Sequence, residues 1–263
     1  MSYPFLKGHG TENDFVVLPD PDESVHGDLD PDRVRALCDR RAGIGADGVL
    51  RAVRRDDGWF MDYRNADGSI SEMCGNGVRV FARYLHERHG EDFPVRVQTR
   101  DGVKVVSRDG AGTDLTVDMG RPSVRGATEV SVGHLTWPAR SVSMGNPHAV
   151  AFVDDLADAG PLLEAPGHDP AVYPDGVNVE FVVRRGAHHV AMRVHERGAG
   201  ETRSCGTGAC AVAVATALAD DAPRGTSYRV DVPGGTLRVV WTVDDRVLMT
   251  GPAELVAEGT TDL

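Results

Sequence analysis

Two stretches of this chain carry the same succession of residue types, and that repetition constrains the fold more than any other feature. Asp62-Tyr63-Arg64-Asn65-Ala66-Asp67-Gly68 leads into Met73-Cys74-Gly75-Asn76-Gly77. Arg193-Val194-His195-Glu196-Arg197-Gly198-Ala199 leads, over the same length without a gap, into Ser204-Cys205-Gly206-Thr207-Gly208. Each stretch is preceded by an Asn opening a strand, Asn13-Asp14-Phe15 and Asn146-Pro147-His148, and then by Asp47-Gly48-Val49 or Asp175-Gly176-Val177. A repeat this long exceeds a solenoid unit of roughly 20–50 residues. It implies two similar domains, facing each other across a cleft.

The elements between these landmarks are mostly strands. Val49–Arg54 and Trp59–Tyr63 flank Asp57-Gly58, a dipeptide suited to a two-residue hairpin turn. Val103–Arg108 and Leu115–Asp118 flank a Gly/Asp cluster around Asp109-Gly110, and Leu237–Val243 and Arg246–Thr250 flank Asp244-Asp245. Val95–Thr99, Val179–Val183 and Val190–His195 add further strands. Three helices are expected. One opens at Asp30-Pro31, an N-cap acceptor followed by Pro at N1, and runs to about Arg40. The others follow the two cysteine loops, from Gly75 to His89 and from Gly206 to Ala219. Ala209–Ala219 is apolar nearly all round, as in a helix buried on most sides.

The formal charge of -12 argues against nucleic acid or an anionic membrane as partner. The most apolar run, Ala209–Ala219, is too short to span a bilayer. With no basic stretch and apolar run at the N-terminus, the expected location is the cytoplasm. Its four cysteines, Cys38, Cys74, Cys205 and Cys210, are there expected as reduced thiols. Only Lys7 and Lys104 could form a pyridoxal Schiff base. Cys205 and Cys210 lack metal-ligand spacing, so no metal is expected. Gly43-Ile44-Gly45-Ala46-Asp47-Gly48 matches G-x-G-x-x-G, but with a helix before it and a strand after it, the reverse of the dinucleotide-binding order.

Either cysteine alone would read as a small buried residue. The duplication changes that. Each cysteine stands at the start of a helix, where bare N–H groups and the helix dipole favour a thiolate, and the glycines let a carboxylate approach the backbone. Inverting a stereocentre needs a base on one face of the α-carbon and an acid on the other. A thiolate and a thiol from two matched loops provide that pair, without any cofactor, for a small-molecule amino-acid substrate. Glu196 and Arg197 occupy the repeat position of Asn65-Ala66, so one half would carry charges to grip a zwitterion. His148 and His195 are the histidines nearest to the repeated landmarks. A Cys74–Cys205 disulfide would be an inactivated form.

With these residues in view, the chain resembles the diaminopimelate epimerase family over essentially its whole length. The matching stretches are Lys7–Phe15, Gly43–Gly48, Met61–Gly77, Gly145–His148, Gly176–Phe181, Glu196–Ala211 and Gly251-Pro252-Ala253. The resemblance implies interconversion of LL- and meso-2,6-diaminopimelate, on the route to lysine and peptidoglycan, with no metal or cofactor. It implies Cys74 and Cys205 as the acid/base pair, supported by His148 and Glu196. It also implies Asn13, Asn65, Asn146, Asn178, Glu196 and Arg197 as substrate ligands, with backbone at Gly75-Asn76 and Gly206-Thr207 holding the carboxylate. The implied fold is α+β: two pseudo-symmetric domains, 1–118 plus 252–263 and 119–251, each a curled, mostly antiparallel sheet around a central helix, with the active site in the cleft between them. A homodimer is the assembly to test for.

Two departures from the family pattern bear on substrate contacts. The usual Met-His-Gly-Leu-Gly-Asn reads Gly8-His9-Gly10-Thr11-Glu12-Asn13 here, and Gly48 stands where many members carry a Gln. A proline or hydroxyproline racemase would share the two-cysteine chemistry, but such enzymes resemble Cys-Gly-His-Gly at the first loop and lack the Glu-Arg-Gly approach to the second. A thiol-switch or binding protein without turnover is the alternative of another class.

Overall fold

The computed structural model describes residues 2–108 and 112–263. The expected turn at Asp109-Gly110 therefore lies outside the described residues. By its internal contacts the chain divides into two units, Met1–Val117 with Gly251–Leu263, and Asp118–Thr250. The first contains β1 (Tyr3–Gly10), β2 (Asn13–Pro19), β3 (Gly48–Arg55), β4 (Gly58–Asn65), β5 (Val95–Thr99), β6 (Gly102–Arg108) and β7 (Leu115–Asp118), with α1 (Pro31–Cys38) and α2 (Gly75–His89). The second contains β8 (Ser123–Val132), β9 (Leu135–Ser143), β10 (Pro147–Phe152), β11 (Gly167–His168), β12 (Asn178–Gly186), β13 (His189–Glu196), β14 (Gly200–Thr202), β15 (Ser227–Val232), β16 (Gly235–Trp241) and β17 (Val247–Gly251), with α3 (Gly206–Ala219). The last strand, β18 (Glu254–Thr261), pairs with β1 of the first unit.

The duplication seen in the sequence is also a duplication of topology. Strands run β18-β1-β2-β3-β4-β5-β6-β7 in the first unit. In the second they run β8-β9-β10-β12-β13-β15-β16-β17. In both orders the third and fourth strands are parallel, as are the fifth and sixth, and the other neighbours are antiparallel. The registers supply a residue-by-residue correspondence. Phe15 pairs with Gly48 at the head of one parallel pair, and His148 with Asn178 at the head of the other. Phe15 thus matches His148, and Leu50 matches Glu180.

Each sheet encloses one helix. α2 packs against β1, β2, β3, β5, β6 and β18, and α3 against β9, β10, β12, β15 and β16. Gly206 and Gly208–Ala217 are buried without interruption, so α3 has no solvated face along its first three turns. This is an α+β fold in which the centre of each unit is a helix N-terminus and the body behind it.

Local chemistry sets the ends of the elements. Asp30 caps α1 by accepting from Asp32 N at 2.8 Å, with Pro31 at N1. The helix stops at Cys38 rather than Arg40. Asp39 is extended and its Oδ1 accepts from the backbone N–H of Arg41 and Ala42, both at 2.7 Å, which competes with further helix. In the β3–β4 hairpin the register pairs Arg55 with Gly58, so the two-residue turn is Asp56-Asp57 and Gly58 begins the next strand. The β16–β17 connection is likewise wider than Asp244-Asp245, since Trp241 pairs with Val247. β1 and β2 are joined by Thr11-Glu12, both left-handed at φ 50° and 60°, a geometry that glycine or Asn normally supplies.

Candidate active site

In the first unit, Cys74 is the N-cap residue of α2, half-buried, with extended backbone at φ −135°. Its sulfur lies 3.5 Å from Asn13 Oδ1, which also accepts from Asn76 Nδ2 at 3.2 Å. The orientation of both amides follows from the charges at either end. Arg79, wholly buried, can only donate, and its Nη2 meets Asn76 Oδ1 at 2.9 Å. Asp47 can only accept, and its Oδ2 meets Asn13 Nδ2 at 2.8 Å. Asn13 therefore turns its carbonyl to Cys74, which acts as a thiol donor.

A charge cluster anchors this arrangement. Arg40 bridges Asp14 and Asp47, each at 2.7 Å, and Lys7 reaches Asp14 at 2.7 Å. Burial would raise the Asp14 carboxyl, but Arg40 and Lys7 outweigh it and hold Asp14 down to about 2. Asn65 closes β4, where its Nδ2 donates to Ser69 Oγ at 3.0 Å rather than to the cysteine loop. The neighbouring Ala66 N–H reaches Asp47 O at 3.1 Å, so Asp47 joins the Asn13 and Asn65 segments.

Gly48 is required by packing. A Cβ there would sit 2.6 Å from Arg64 O and 2.7 Å from a Tyr63 ring carbon, so the Gln of many relatives has no room on this backbone. Glu12 is exposed, on the Thr11-Glu12 turn, with its N–H 3.4 Å from His9 Nδ1.

In the second unit, Cys205 caps α3 and is buried. Its sulfur accepts from Gly208 N at 3.4 Å and lies 3.5 Å from Thr207 Oγ1. Asn146 Nδ2 donates to Thr207 Oγ1 at 3.3 Å, and Asn146 Oδ1 lies 3.0 Å from His148 Nε2. His148 Nδ1 is 2.6 Å from Glu180 Oε1, and both side chains are fully buried. Asn178 accepts from Arg197 N at 2.9 Å and donates to Pro147 O at 3.1 Å, tying β10, β12 and the end of β13 together. Arg197 Nη1 turns to Asp175 O at 3.0 Å, while Glu196 Oε1 accepts from the Thr202 hydroxyl. His195 is buried on β13, and its Nδ1 has no partner among the described residues.

The two loops satisfy the helix-start expectation unequally. The first-turn N–H groups at Gly75-Asn76 and Gly206-Thr207 have no acceptor within their helices and can hold a carboxylate. Cys205 does accept one of its helix's N–H groups, as a thiolate-stabilising cap would. Even so, its thiol is pushed up, not down: burial comes first, then the carboxylates of Glu196 and Glu180, and the bonds from Thr207 and Gly208 offset only part. These surroundings favour the thiol form of Cys205. No disulfide forms among the described cysteines.

Residue patterns did not disclose Glu180 or Arg79. Glu180 stands in an otherwise apolar strand, Val179–Val183, and Arg79 on the buried side of α2. A lone charge in an apolar run is the signal that each left in the sequence.

A family model described as diaminopimelate epimerase matches residues 5–125 and 140–256. The chain is 61% identical to the diaminopimelate epimerase of Streptomyces coelicolor, over 98% of this chain and 95% of that one. It is 46% identical to that of Rhodococcus jostii, over 98% and 96%. Among solved structures it is similar to a protein described as a predicted epimerase from Pseudomonas aeruginosa, with TM-score 0.74 and 18% identity over 99% of each chain. It is also similar to a hydroxyproline epimerase from Agrobacterium vitis with bound trans-4-hydroxy-L-proline, with TM-score 0.68 and 16% identity over 99% and 92%.

Proposed function

The chain belongs to the diaminopimelate epimerase family, and from that premise we propose that it interconverts LL- and meso-2,6-diaminopimelate by proton transfer between two cysteines. The observation that carries the mechanism is the matched placement of Cys74 and Cys205, each the N-cap of the helix at the centre of its unit. A thiolate takes the α-proton, the carbanion's electron pair accepts a proton from the thiol on the opposite face, and the two sulfurs exchange roles. First-turn N–H groups at Gly75-Asn76 and Gly206-Thr207 hold the reacting carboxylate and stabilise the charge that develops on it. The buried Cys205 thiol suits the acid role, and the half-buried Cys74 the base role, in one direction of reaction.

Asn13, Asn65, Asn146, Asn178, Glu196 and Arg197 bind the substrate in this reading, and His148 and Glu196 assist the two sulfurs. The reaction needs no cofactor. The two epimerase domains are residues 1–118 plus 252–263 and residues 119–251. The same reading places the chain in the cytoplasm as a homodimer, which sedimentation would check. Among the described residues no helix is long and apolar enough to cross a membrane.

The test is α-deuterium incorporation from deuterated water into LL-diaminopimelate under reducing conditions. Rapid incorporation is expected, abolished by Cys74→Ala and by Cys205→Ala. No incorporation with the reduced wild type would refute the assignment, and incorporation into proline instead would point to a proline racemase.

A further inference from the structure

The two units solve the same packing problem with opposite chemistry. In the first, a Cβ on Gly77 would meet Leu50 at 3.3 Å, Phe15 at 3.4 Å and Cys74 Cβ at 3.5 Å, all carbon. In the second, the matching Gly208 position lies 2.7 Å from Glu180 Oε1 and 3.3 Å from Cys205 Sγ. Phe15 and Leu50, buried and apolar, thus occupy the places of His148 and Glu180. The fold has no need of charge at this point. An ionisable pair with both side chains at 0% exposure is costly unless it is used. Glu180 Oε2 is moreover buried without a hydrogen-bond partner among the described residues.

From this asymmetry we propose that Glu180 is a positioning residue for Cys205. Its protonation sets the tautomer of His148, and through Asn146 and Thr207 it shares one negative charge with the Cys205 sulfur. This rests on reading Cys205 as an acid/base group of the proposed reaction.

The contacts allow two hydrogen-bond polarities with the same number of protons. With Cys205 as thiol and the Asn146 amide turned over, the S–H donates to Thr207, Thr207 donates to Asn146 Oδ1, and Asn146 Nδ2 donates to His148 Nε2. His148 Nδ1–H then donates to a Glu180 carboxylate. With Cys205 as thiolate, every donor reverses. Thr207 donates to sulfur, Asn146 Nδ2 to Thr207 and His148 Nε2–H to Asn146 Oδ1, and the proton of the 2.6 Å contact lies on Glu180. The states differ by one proton, held by the thiol in the first and by Glu180 in the second. The placement of Nδ2 toward Thr207 in this structure is the arrangement of the second polarity.

The groups facing the pair come from several elements. His148 reaches Glu180 from β10, Glu196 from the end of β13, Cys205 from the cap of α3 and the Tyr173 phenol from the segment before β12. Glu196 also faces Cys205. Burial raises the Glu180 carboxyl, against the opposing pull of His148, as suits a group that holds a proton in one of its working states.

The test is the pH dependence of Cys205 alkylation by iodoacetamide, resolved by peptide mass spectrometry without substrate. Glu180→Gln can hold neither the charge nor the acid proton, so Cys205 becomes the only anion of the network. Its thiolate midpoint should fall by about one pH unit, about tenfold in thiolate at fixed pH. In turnover, kcat should fall about tenfold with KM within about twofold, and the acid limb of kcat should move with the alkylation midpoint. Glu180→Asp, which keeps a carboxyl, should restore part of both. Should Glu180→Gln fail to fold, the double variant His148→Phe/Glu180→Leu borrows the apolar pair of the first unit and should show the same downward midpoint. An unchanged midpoint in the folded variants overturns the proposal, leaving Glu180 a structural residue whose loss lowers only the melting temperature. Failure of the wild type to exchange the α-proton would refute the proposed function instead, and the alkylation profile would still decide the role of Glu180.

Discussion

Gly77 and Gly208 occupy the same position in the two cysteine helices, and replacing each by Ala separates backbone from site effects. In a helix, Ala is favoured over Gly by about 0.5–1 kcal/mol. At Gly77 the new methyl meets only carbon, at 3.3–3.5 Å, so Leu50 and Phe15 need yield by no more than a small relaxation. Gly77→Ala should therefore leave stability within about 1 kcal/mol of wild type. At Gly208 the methyl meets Glu180 Oε1 at 2.7 Å, well inside ordinary contact at 3.4 Å. Glu180 cannot retreat without stretching its 2.6 Å contact to His148, and Cys205 Sγ closes the other side at 3.3 Å. Overpacking at about 1–3 kcal/mol and a weakened charged hydrogen bond at about 1.5–3 kcal/mol, less the helix gain, leave a loss of about 2–5 kcal/mol. Urea unfolding of the two variants beside wild type measures the difference directly. Equal stability of Gly77→Ala and Gly208→Ala would refute the reasoning, because the backbone change is the same and only the neighbour differs.

Two further outcomes follow from features away from the sulfurs. Thr11 and Glu12 form a hairpin turn at φ 50° and 60°, where a side chain costs about 1 kcal/mol, so Glu12→Gly should raise stability by somewhat less than that, measured by thermal unfolding. Lower stability would mean that the interactions of Glu12 outweigh the strain. His26 is buried edge-on to Tyr3 with ring centroids 4.6 Å apart, and burial, with Arg33, lowers it to about 4. Because the unfolded side chain takes up a proton near pH 6.5 and the folded one does not, His26 favours folding above that pH. This contribution is lost as pH falls toward 4, by about 3 kcal/mol. His26→Phe should flatten the pH profile of unfolding between those limits, and a profile unchanged by the substitution would contradict the burial of a neutral imidazole.

Much of the site was legible in the residues because a duplicated loop repeats its chemistry in the letters. The helices after Cys74 and Cys205 begin and end where glycine loops and periodicity predict, at Gly75–His89 and Gly206–Ala219. The turns were less legible. Asp57-Gly58 has the composition of a hairpin turn, yet strand pairing places the turn one residue earlier, because register is set by the whole ladder. Glu180 and Arg79 were missed for a related reason: the partners that bury each charge are distant in sequence. His148 is 32 residues from Glu180, and Pro252 is 173 from Arg79.

What the sequence determined alone is the duplication: two like domains, two like cysteines at helix starts, and with them the class of chemistry. These follow from local rules, since capping, glycine freedom and helix periodicity act within a few residues. The electrostatic state of each cysteine was decided only by the tertiary structure. Helix starts favour thiolates, and by that rule Cys74 and Cys205 are alike. Folding surrounds one with the Asn13 carbonyl in a half-buried loop, and the other with Glu180 and Glu196 in a buried one, where desolvation outweighs the helix N-terminus. Burial and through-space charge depend on which strands become neighbours, and no spacing along the chain records that.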